Sequence, residues 1–251
     1  MPLNYLFMIS ELFFAVFYQP MFNLLVFFYN IIGKDLGLAI ILITILLKII
    51  TYPLNSRALK SQKALQQIQP KINELKVKHK GDSTGLSQAI MGLYKEEKVN
   101  PASSCLPLLI QLPFLIAIYR VFSFGITKVD SLKDLYSFVH NPGILQNVSF
   151  GFLDLAQRNV VLAILAAAAT FWQVKMLPQP KPANINGSKD EDMAAMMNKQ
   201  MVYLMPAMTL FIAISLPAGL SLYWLVMTLL QVAQQWYVFK KQENTTTAVV
   251  K

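Results

Sequence analysis

Lys48 is the side chain of this sequence whose chemistry is hardest to place. It lies inside the apolar run Leu36–Leu54, and a lysine near a bilayer centre costs about 2.5–3.5 kcal/mol on insertion scales, so by default it faces a wet cavity or a partner. Thr44, Lys48, Thr51 and Asn55 are spaced i, i+4, i+7, i+11, which puts them on one continuous helix face. Trp224, Thr228, Gln231 and Gln235 repeat that spacing in a later apolar run, and Gln111, Thr170 and Gln173 add amides and a hydroxyl in two others. No carboxylate lies inside any of these runs, so water is the expected company of the ammonium. The set reads as the lining of a hydrophilic groove that opens toward the end marked by Asn55 and Gln235. Snorkelling and ordinary interhelical hydrogen bonds are the competing explanation, stronger for Gln111 or Thr170 alone than for Lys48 with its aligned face. Arg120, close to one end of its run, reads as an interface anchor.

Other reactive-looking groups point nowhere in particular. Gly81-Asp82-Ser83-Thr84-Gly85 matches the G-x-S-x-G pattern of serine hydrolases, but that pattern works only on a strand-to-helix elbow with an oxyanion hole and a histidine base. Here it follows a lysine-rich polar helix and reads as a hairpin turn. His79 is nearby in sequence only, and His140 stands beside Asn141-Pro142 without a metal-ligating companion. Cys105 is the single cysteine, so no internal disulfide, multi-cysteine metal site or cofactor is expected, and a small buried thiol is the plain reading. Met193, Met196, Met197, Met201, Met205 and Met208 form a stripe at mostly helical spacing; methionine surfaces adapt to varied apolar partners, although packing or lipid contact explains them as well.

The elements that must carry these residues follow from composition. Of 251 residues, 55% are apolar and 14% charged, against about 25% charged in soluble domains, and the charges are segregated. A spanning helix needs roughly 20 mostly apolar residues. Leu36–Leu54, Cys105–Phe124, Val160–Leu177 and Leu220–Phe239 meet or approach that standard. Met201–Leu216 is shorter and leads through Pro217-Ala218-Gly219 into the last run as a helical hairpin. The expectation is an all-α integral membrane protein of five transmembrane helices, with segments 1–35, 36–54, 55–100, 101–124, 125–159, 160–177, 178–200, 201–239 and 240–251.

The net charge of +9 does not imply a specific nucleic-acid partner, because of where the charges fall. Arg57, Lys60, Lys63, Lys71, Lys76, Lys78, Lys80, Lys95 and Lys98 lie between Asn55 and Pro101, and basic residues in short loops stay cytoplasmic. Residues 124–159 then lie outside, 178–200 inside, and the Lys240-Lys241 tail inside, so the N-terminus is outside and the C-terminus cytoplasmic. Asn55–Asn100 reads as a cytoplasmic helical hairpin. Leu65, Ile68, Ile72 and Leu75 form a narrow seam, Pro70 breaks the backbone ladder and kinks the first helix, and Leu86, Ile90 and Leu93 share one face of the second, expected over about 86–98. Tyr5–Ile32 is rich in Phe, Tyr and Leu but interrupted by Glu11, Gln19, Pro20, Asn23 and Asn30. A sixth span and an aromatic-rich helix lying in the outer interface over about 14–32 are both open. The short Gly33-Lys34-Asp35 link favours the second. The first residues lack the basic start of a signal peptide, and without a nearby cysteine no lipoprotein anchor is expected.

Gly37-Leu38-Ala39-Ile40-Ile41 through Lys48 to Tyr52-Pro53-Leu54, then Asn100-Pro101 with Cys105-Leu106-Pro107-Leu108-Leu109-Ile110-Gln111-Leu112-Pro113, and finally Pro217 to Trp224 with Gln234-Gln235-Trp236, resemble the YidC membrane-protein insertases, over about residues 15–240. The resemblance implies a five-helix membrane core with an outer amphipathic helix and a cytoplasmic hairpin, in a bacterial inner or plasma membrane. It implies an insertase and chaperone rather than an enzyme. Lys48 would be the groove charge, in place of the family's usual arginine; it keeps the charge but loses the planar fork. Leu108, Leu112, Leu115, Tyr223 and Trp224 would be substrate contacts. Implied partners are nascent membrane proteins, membrane lipid, the ribosome through the two cytoplasmic loops, and the Sec translocon as a candidate. The large extracytoplasmic domain and long basic tail of some members are expected to be missing. A small-solute or ion transporter using the buried lysine is the competing class, but the internal repeats and paired broken helices usual there are not found. An intramembrane enzyme would need paired acids, a metal cluster or a nucleophile with its base.

Overall fold

Four residues reverse the chain between its first two helices. In the computed structural model, which describes residues 8, 10–100, 106–125, 129–177 and 189–249, a π-helical turn over Phe14–Tyr18 leads into α1, Gln19–Ile31. Gly33 (φ +79°) and Lys34 (φ +63°) are left-handed, and the Lys34 N–H donates to the Tyr29 carbonyl at 3.0 Å, the six-to-one closure of a glycine-terminated helix. Asp35 then caps α2, Leu36–Gln67, by accepting the Leu38 N–H at 3.0 Å. The remaining elements are α3 (Gln69–Lys78), α4 (Ser83–Glu96), α5 (Leu106–Arg120, continuing as a π-helical turn over Val121–Gly125), a 3-10 turn over Val129–Asp134, strands β1 (Val148–Ser149) and β2 (Leu153–Asp154), α6 (Val160–Met176), α7 (Lys189–Ser215) and α8 (Ala218–Val249). By length and composition Ser10–Ile31 and Leu36–Gln67 are long and apolar enough to cross a membrane, and Leu109–Ser123, Val160–Met176 and Val202–Ser215 are shorter apolar helices. The described chain is mostly helical, as an all-α membrane protein should be; the antiparallel pair β1–β2 is an addition that the sequence reading did not contain.

The chain forms two compact units. The first comprises Met1–Thr51, Leu108–Ala167 and Thr209–Leu230. One face of α1 (Met21, Phe22, Leu25, Val26, Tyr29) packs with Leu36, Ile40, Ile43 and Leu47 of α2, Ile118 of α5, the adjoining Val121 and Phe122, and Leu220 and Tyr223 of α8. The segment between α5 and α6 is fastened to this core by backbone bonds. Asn23 donates to the Asp134 carbonyl at 3.1 Å and accepts the Tyr136 N–H at 2.6 Å. Tyr29 Oη accepts the Gln146 N–H, and the Asp35 carboxylate accepts the Phe150 N–H at 2.7 Å. The N–H groups of Ala218 and Gly219 donate to the carbonyls of Gln157 and Leu155. Gly219 is required there, since a Cβ would overlap the Phe122 ring.

The second unit comprises Tyr52–Pro107, Ala168–Met208 and Gln231–Lys251. Its helical hairpin is built as the spacing predicts: Leu65, Ile68, Ile72 and Leu75 meet Ile90, Leu93, Tyr94 and Val99 in a small core of their own. Two details differ. Pro70 sits at the start of α3, where its missing N–H costs nothing, so the chain ends one helix and begins another at Ile68 instead of kinking a single one. Helix α4 begins at Ser83, not near Leu86, because the Asp82 carboxylate accepts the Gly85 N–H at 2.9 Å and caps it; Leu86 does not join the hairpin core. The Gly-Asp-Ser-Thr-Gly pattern is thus a turn and a helix cap.

Candidate functional site

Within the first unit, α2 presents Thr44 and Lys48 as buried side chains, with Thr51 just inside the buried range. The Thr44 hydroxyl donates to the Ile40 carbonyl at 2.6 Å and the Thr51 hydroxyl to the Leu47 carbonyl at 2.8 Å. Each donor is therefore spent on its own helix, leaving hydroxyl lone pairs on the face that Lys48 shares. Lys48 itself is only 6% exposed, so the side chain is turned into protein and not toward lipid or headgroups. Gln111 of α5 donates its amide to the Tyr223 hydroxyl of α8. Tyr223 is fully enclosed, Thr228 is buried and Trp224 half-buried. What these positions can offer a ligand is the Lys48 ammonium on one helix face with the Thr44 and Thr51 hydroxyls, and the Gln111–Tyr223 pair between α5 and α8.

The substrate-contact residues divide. Leu112 is 40% exposed and belongs to an outward stripe of α5 with Leu109, Ile116 and Tyr119, spaced i, i+3, i+7 and i+10. Leu115 is turned inward and packs on the core. The Leu108 side chain lies outside the described residues, as do those of Met193, Met196, Met197 and Met201; Met205 and Met208 are exposed. Leu109, Ile116 and Tyr119 were not singled out from the sequence, although a three-four spacing of large apolar residues around Leu112 was there to be read.

Within the second unit, Asn55, Thr170 and Gln235 are buried, while Gln173 and Gln231 are half-buried. Gln235 donates to the Gln173 carbonyl at 3.4 Å. Gln234, which the sequence reading did not place in the site, donates to the Tyr52 carbonyl at 2.9 Å and the Ser56 hydroxyl at 2.8 Å. It fastens α8 to α2 beside Pro53, where the proline removes one helical N–H. The Oε1 atoms of Gln234 and Gln235 are buried with no hydrogen-bond partner among the described residues. Lys63 donates to the Phe239 carbonyl at 3.3 Å and lies over its ring. Among the described residues no group of three or more His, Cys, Asp or Glu could hold a metal ion.

The family model of the 60Kd inner membrane protein matches residues 27–245. Proteins named membrane protein insertase YidC are similar to this chain along most of its length. That of Pelobacter propionicus is 34% identical over 227 residues, 90% of this chain and 39% of that protein. That of Geotalea daltonii is 36% identical over 229 residues, covering 90% and 38%, and that of Rickettsia rickettsii is 33% identical over 236 residues, covering 90% and 39%. The chain spans about two fifths of the length of these curated relatives.

Proposed function

Because the chain belongs to the 60Kd inner membrane protein family, we propose that it is a membrane-protein insertase, which moves transmembrane segments of client proteins into the bilayer along a polar groove and without covalent chemistry. Lys48 carries this reading: a cation 6% exposed, held in an apolar helix between two hydroxyl acceptors of the same face. A client's acidic or polar tail must cross hydrocarbon at several kcal/mol per charge. Once neighbouring side chains move aside, a wet groove around the Lys48 ammonium shortens the dry path and attracts carboxylates. Each leucine placed at the bilayer centre returns roughly half a kcal/mol, so a full client span offsets one or two translocated charges. Thr44, Thr51, Gln111, Trp224 and Thr228 line the groove in this proposal; Gln231 and Gln235 continue the α8 stripe, Asn55 the α2 stripe, and Thr170 with Gln173 the α6 face. Lys48 is enclosed as it stands, so a client carboxylate reaches it only after neighbouring side chains move. The apolar part of the client slides along the outward stripe of α5 at Leu109, Leu112 and Ile116.

The same proposal gives the chain five spans, an outer N-terminus and a cytoplasmic hairpin and tail. It lays α1 in the outer interface, and the bonding of that helix supports this. Gln19, Asn23, Tyr29 and Asn30 all pair with the backbone of residues 134–146, a segment outside any span, while Phe13 meets Arg120 at the end of α5. Clients are nascent membrane proteins, ribosomes are met through the cytoplasmic loops, and the Sec translocon is a candidate for co-purification.

The test is insertion of a radiolabelled small membrane protein with an acidic extracytoplasmic tail into liposomes holding the purified chain. Lys48→Arg is expected to keep insertion and Lys48→Ala or Lys48→Glu to impair it. Undiminished insertion by Lys48→Glu removes the charge from the mechanism. Solute flux through liposomes without a client, abolished by the same substitutions, would instead favour a transporter.

A further inference from the structure

The segment between α5 and α6 is bonded too firmly to be a slack connection, and its apolar side chains point the wrong way for water. Phe138 is 77% exposed, Ile144 77% and Phe152 82%. Each is followed by a buried residue, Val139, Leu145 and Leu153, so the inward neighbour fixes the outward direction. The height of the segment is also set. Phe150 donates its N–H to Asp35, and the Gly37 N–H donates to Ser149 Oγ at 2.7 Å, which holds the β1–β2 turn at the first turn of α2. One residue further on, Leu38 is already outward-facing and 41% exposed. Asn30 donates to the His140 carbonyl at 2.6 Å, close to the α1–α2 reversal. Asn159 accepts the Leu162 N–H at 3.0 Å, capping α6 where Val160 and Val161 face outward. These attachments put the segment at the level where the apolar surfaces of the helices begin. Segments that lie in the membrane interface bury side chains such as Phe and Leu at the boundary between headgroups and acyl chains. The exposed charges carried there by Lys34, Lys133 and Arg158 are positive, whereas Asp35, Asp134 and Asp154 are partly covered.

We propose that residues 132–158 form a collar seated on the outer leaflet, with Phe138, Ile144 and Phe152 entering the boundary between headgroups and acyl chains, and Lys34, Lys133 and Arg158 meeting lipid phosphates. The partner is lipid, because the segment is tied to the starts of α2 and α8 and leads into α6, and its exposed apolar side chains are accompanied by cations complementary to phosphate. The inference rests on the membrane placement proposed above, and not on Lys48 or on insertase activity. The collar anchors the outer ends of α2, α6 and α8 at one depth.

The test uses nitroxide labels on single cysteines, Phe138→Cys, Ile144→Cys and Phe152→Cys, in a Cys105→Ser chain reconstituted in vesicles of phosphatidylethanolamine and phosphatidylglycerol, with Asn141→Cys as an aqueous control. Collisions with oxygen are expected to exceed collisions with a water-soluble nickel chelate at two or more of the three sites, with the reverse at 141. Nickel dominance at two or more overturns the collar. So does exclusion of both reagents at two or more, which marks a protein contact. Each labelled chain is also assayed for client insertion: loss of the oxygen signal with insertion intact refutes the collar and leaves the insertase reading standing, and loss of insertion at Lys48 leaves the collar standing.

Discussion

Asn23 interrupts the most aromatic stretch of the chain, and replacing it with leucine should loosen the outer segment by a calculable amount. The residue is 2% exposed. Its amide donates to the carbonyls of Gln19 at 2.8 Å and Asp134 at 3.1 Å, and its oxygen accepts the Tyr136 N–H at 2.6 Å. Leucine keeps the branched heavy-atom shape, with bulkier methyl groups, and removes all three bonds. The Asp134 carbonyl retains a donor, because Gln19 Nε2 also reaches it at 3.1 Å. The Gln19 carbonyl lies within a helix, where it keeps its ordinary helical partner. The Tyr136 N–H loses its acceptor, and a buried donor left unmade costs about 1–3 kcal/mol. With the loss of the second amide bond, local opening of residues 134–139 should become easier by about 2–3 kcal/mol, which corresponds to exchange roughly 30 to 150 times faster. Hydrogen exchange followed by mass spectrometry on a peptide spanning Tyr136 reads this directly. Asn23→Asp keeps the acceptor for Tyr136 while losing both donors, and should fall between the two. If Tyr136 is equally protected in Asn23→Leu, Asn23 is not what holds residues 134–136, and the interfacial placement of α1 is left to the ties of Gln19, Tyr29 and Asn30.

Gly219→Ala places a methyl group into the Phe122 ring; overpacking of this kind costs about 1–3 kcal/mol, read as a lower thermal midpoint in detergent, whereas Gly92→Ala, with open space around it, should leave the midpoint unchanged or raised. Burial raises the Asp35 carboxyl, but the N–H groups of Phe150, Leu38 and Gly37 and the Ser149 hydroxyl outweigh it and hold the carboxyl below the ordinary carboxylate value. Its stabilising contribution is therefore present above the unfolded-state pKa and is lost as pH falls through the lower folded value. Exchange protection of Phe150 should be level from neutral pH down to the ordinary carboxylate range and collapse below it, while Asp35→Asn should show weaker protection without that acid step.

Local chemistry was readable in the sequence, and distant pairing was not. The seam of Leu65, Ile68, Ile72 and Leu75 and the turn at Gly81-Asp82 were legible because helix periodicity and capping act over a few residues. Pro70 was legible as a break but not as a helix start, since both follow from the same missing N–H and only the φ and ψ of Ile68 distinguish them. The outer segment was opaque. Asn30 and His140 meet across 110 positions, β1 and β2 have two residues each, and Phe150 takes a left-handed φ of 56° that nothing in its type suggests. Asn23 and Gln234 were visible as polar residues in apolar helices, but their partners, apart from the Ser56 hydroxyl, are backbone atoms, which leave no mark in sequence. At the candidate site, the aligned face of Thr44, Lys48 and Thr51 was readable from spacing; the pairing of Gln111 with Tyr223 was not.

Polar residues inside these helices therefore serve two purposes, and stability separates them. Asn23 and Gln234 make bonds to backbone atoms, so an apolar replacement strands those atoms and must cost stability. Lys48 is different in kind. Its burial takes an ammonium out of water, at a penalty of several kcal/mol that contacts within the protein seldom return in full, while the hydroxyls beside it are already bonded to their own helix. Lys48→Leu removes the penalty and the ammonium's own contacts together; with the penalty the larger of the two, the protein should be as stable as its parent or more so. A residue whose loss improves the fold while impairing insertion is one retained for what it does to another molecule. A marked fall in stability for Lys48→Leu would place it instead with Asn23 and Gln234, as a structural tie, and the groove charge would have to be sought elsewhere.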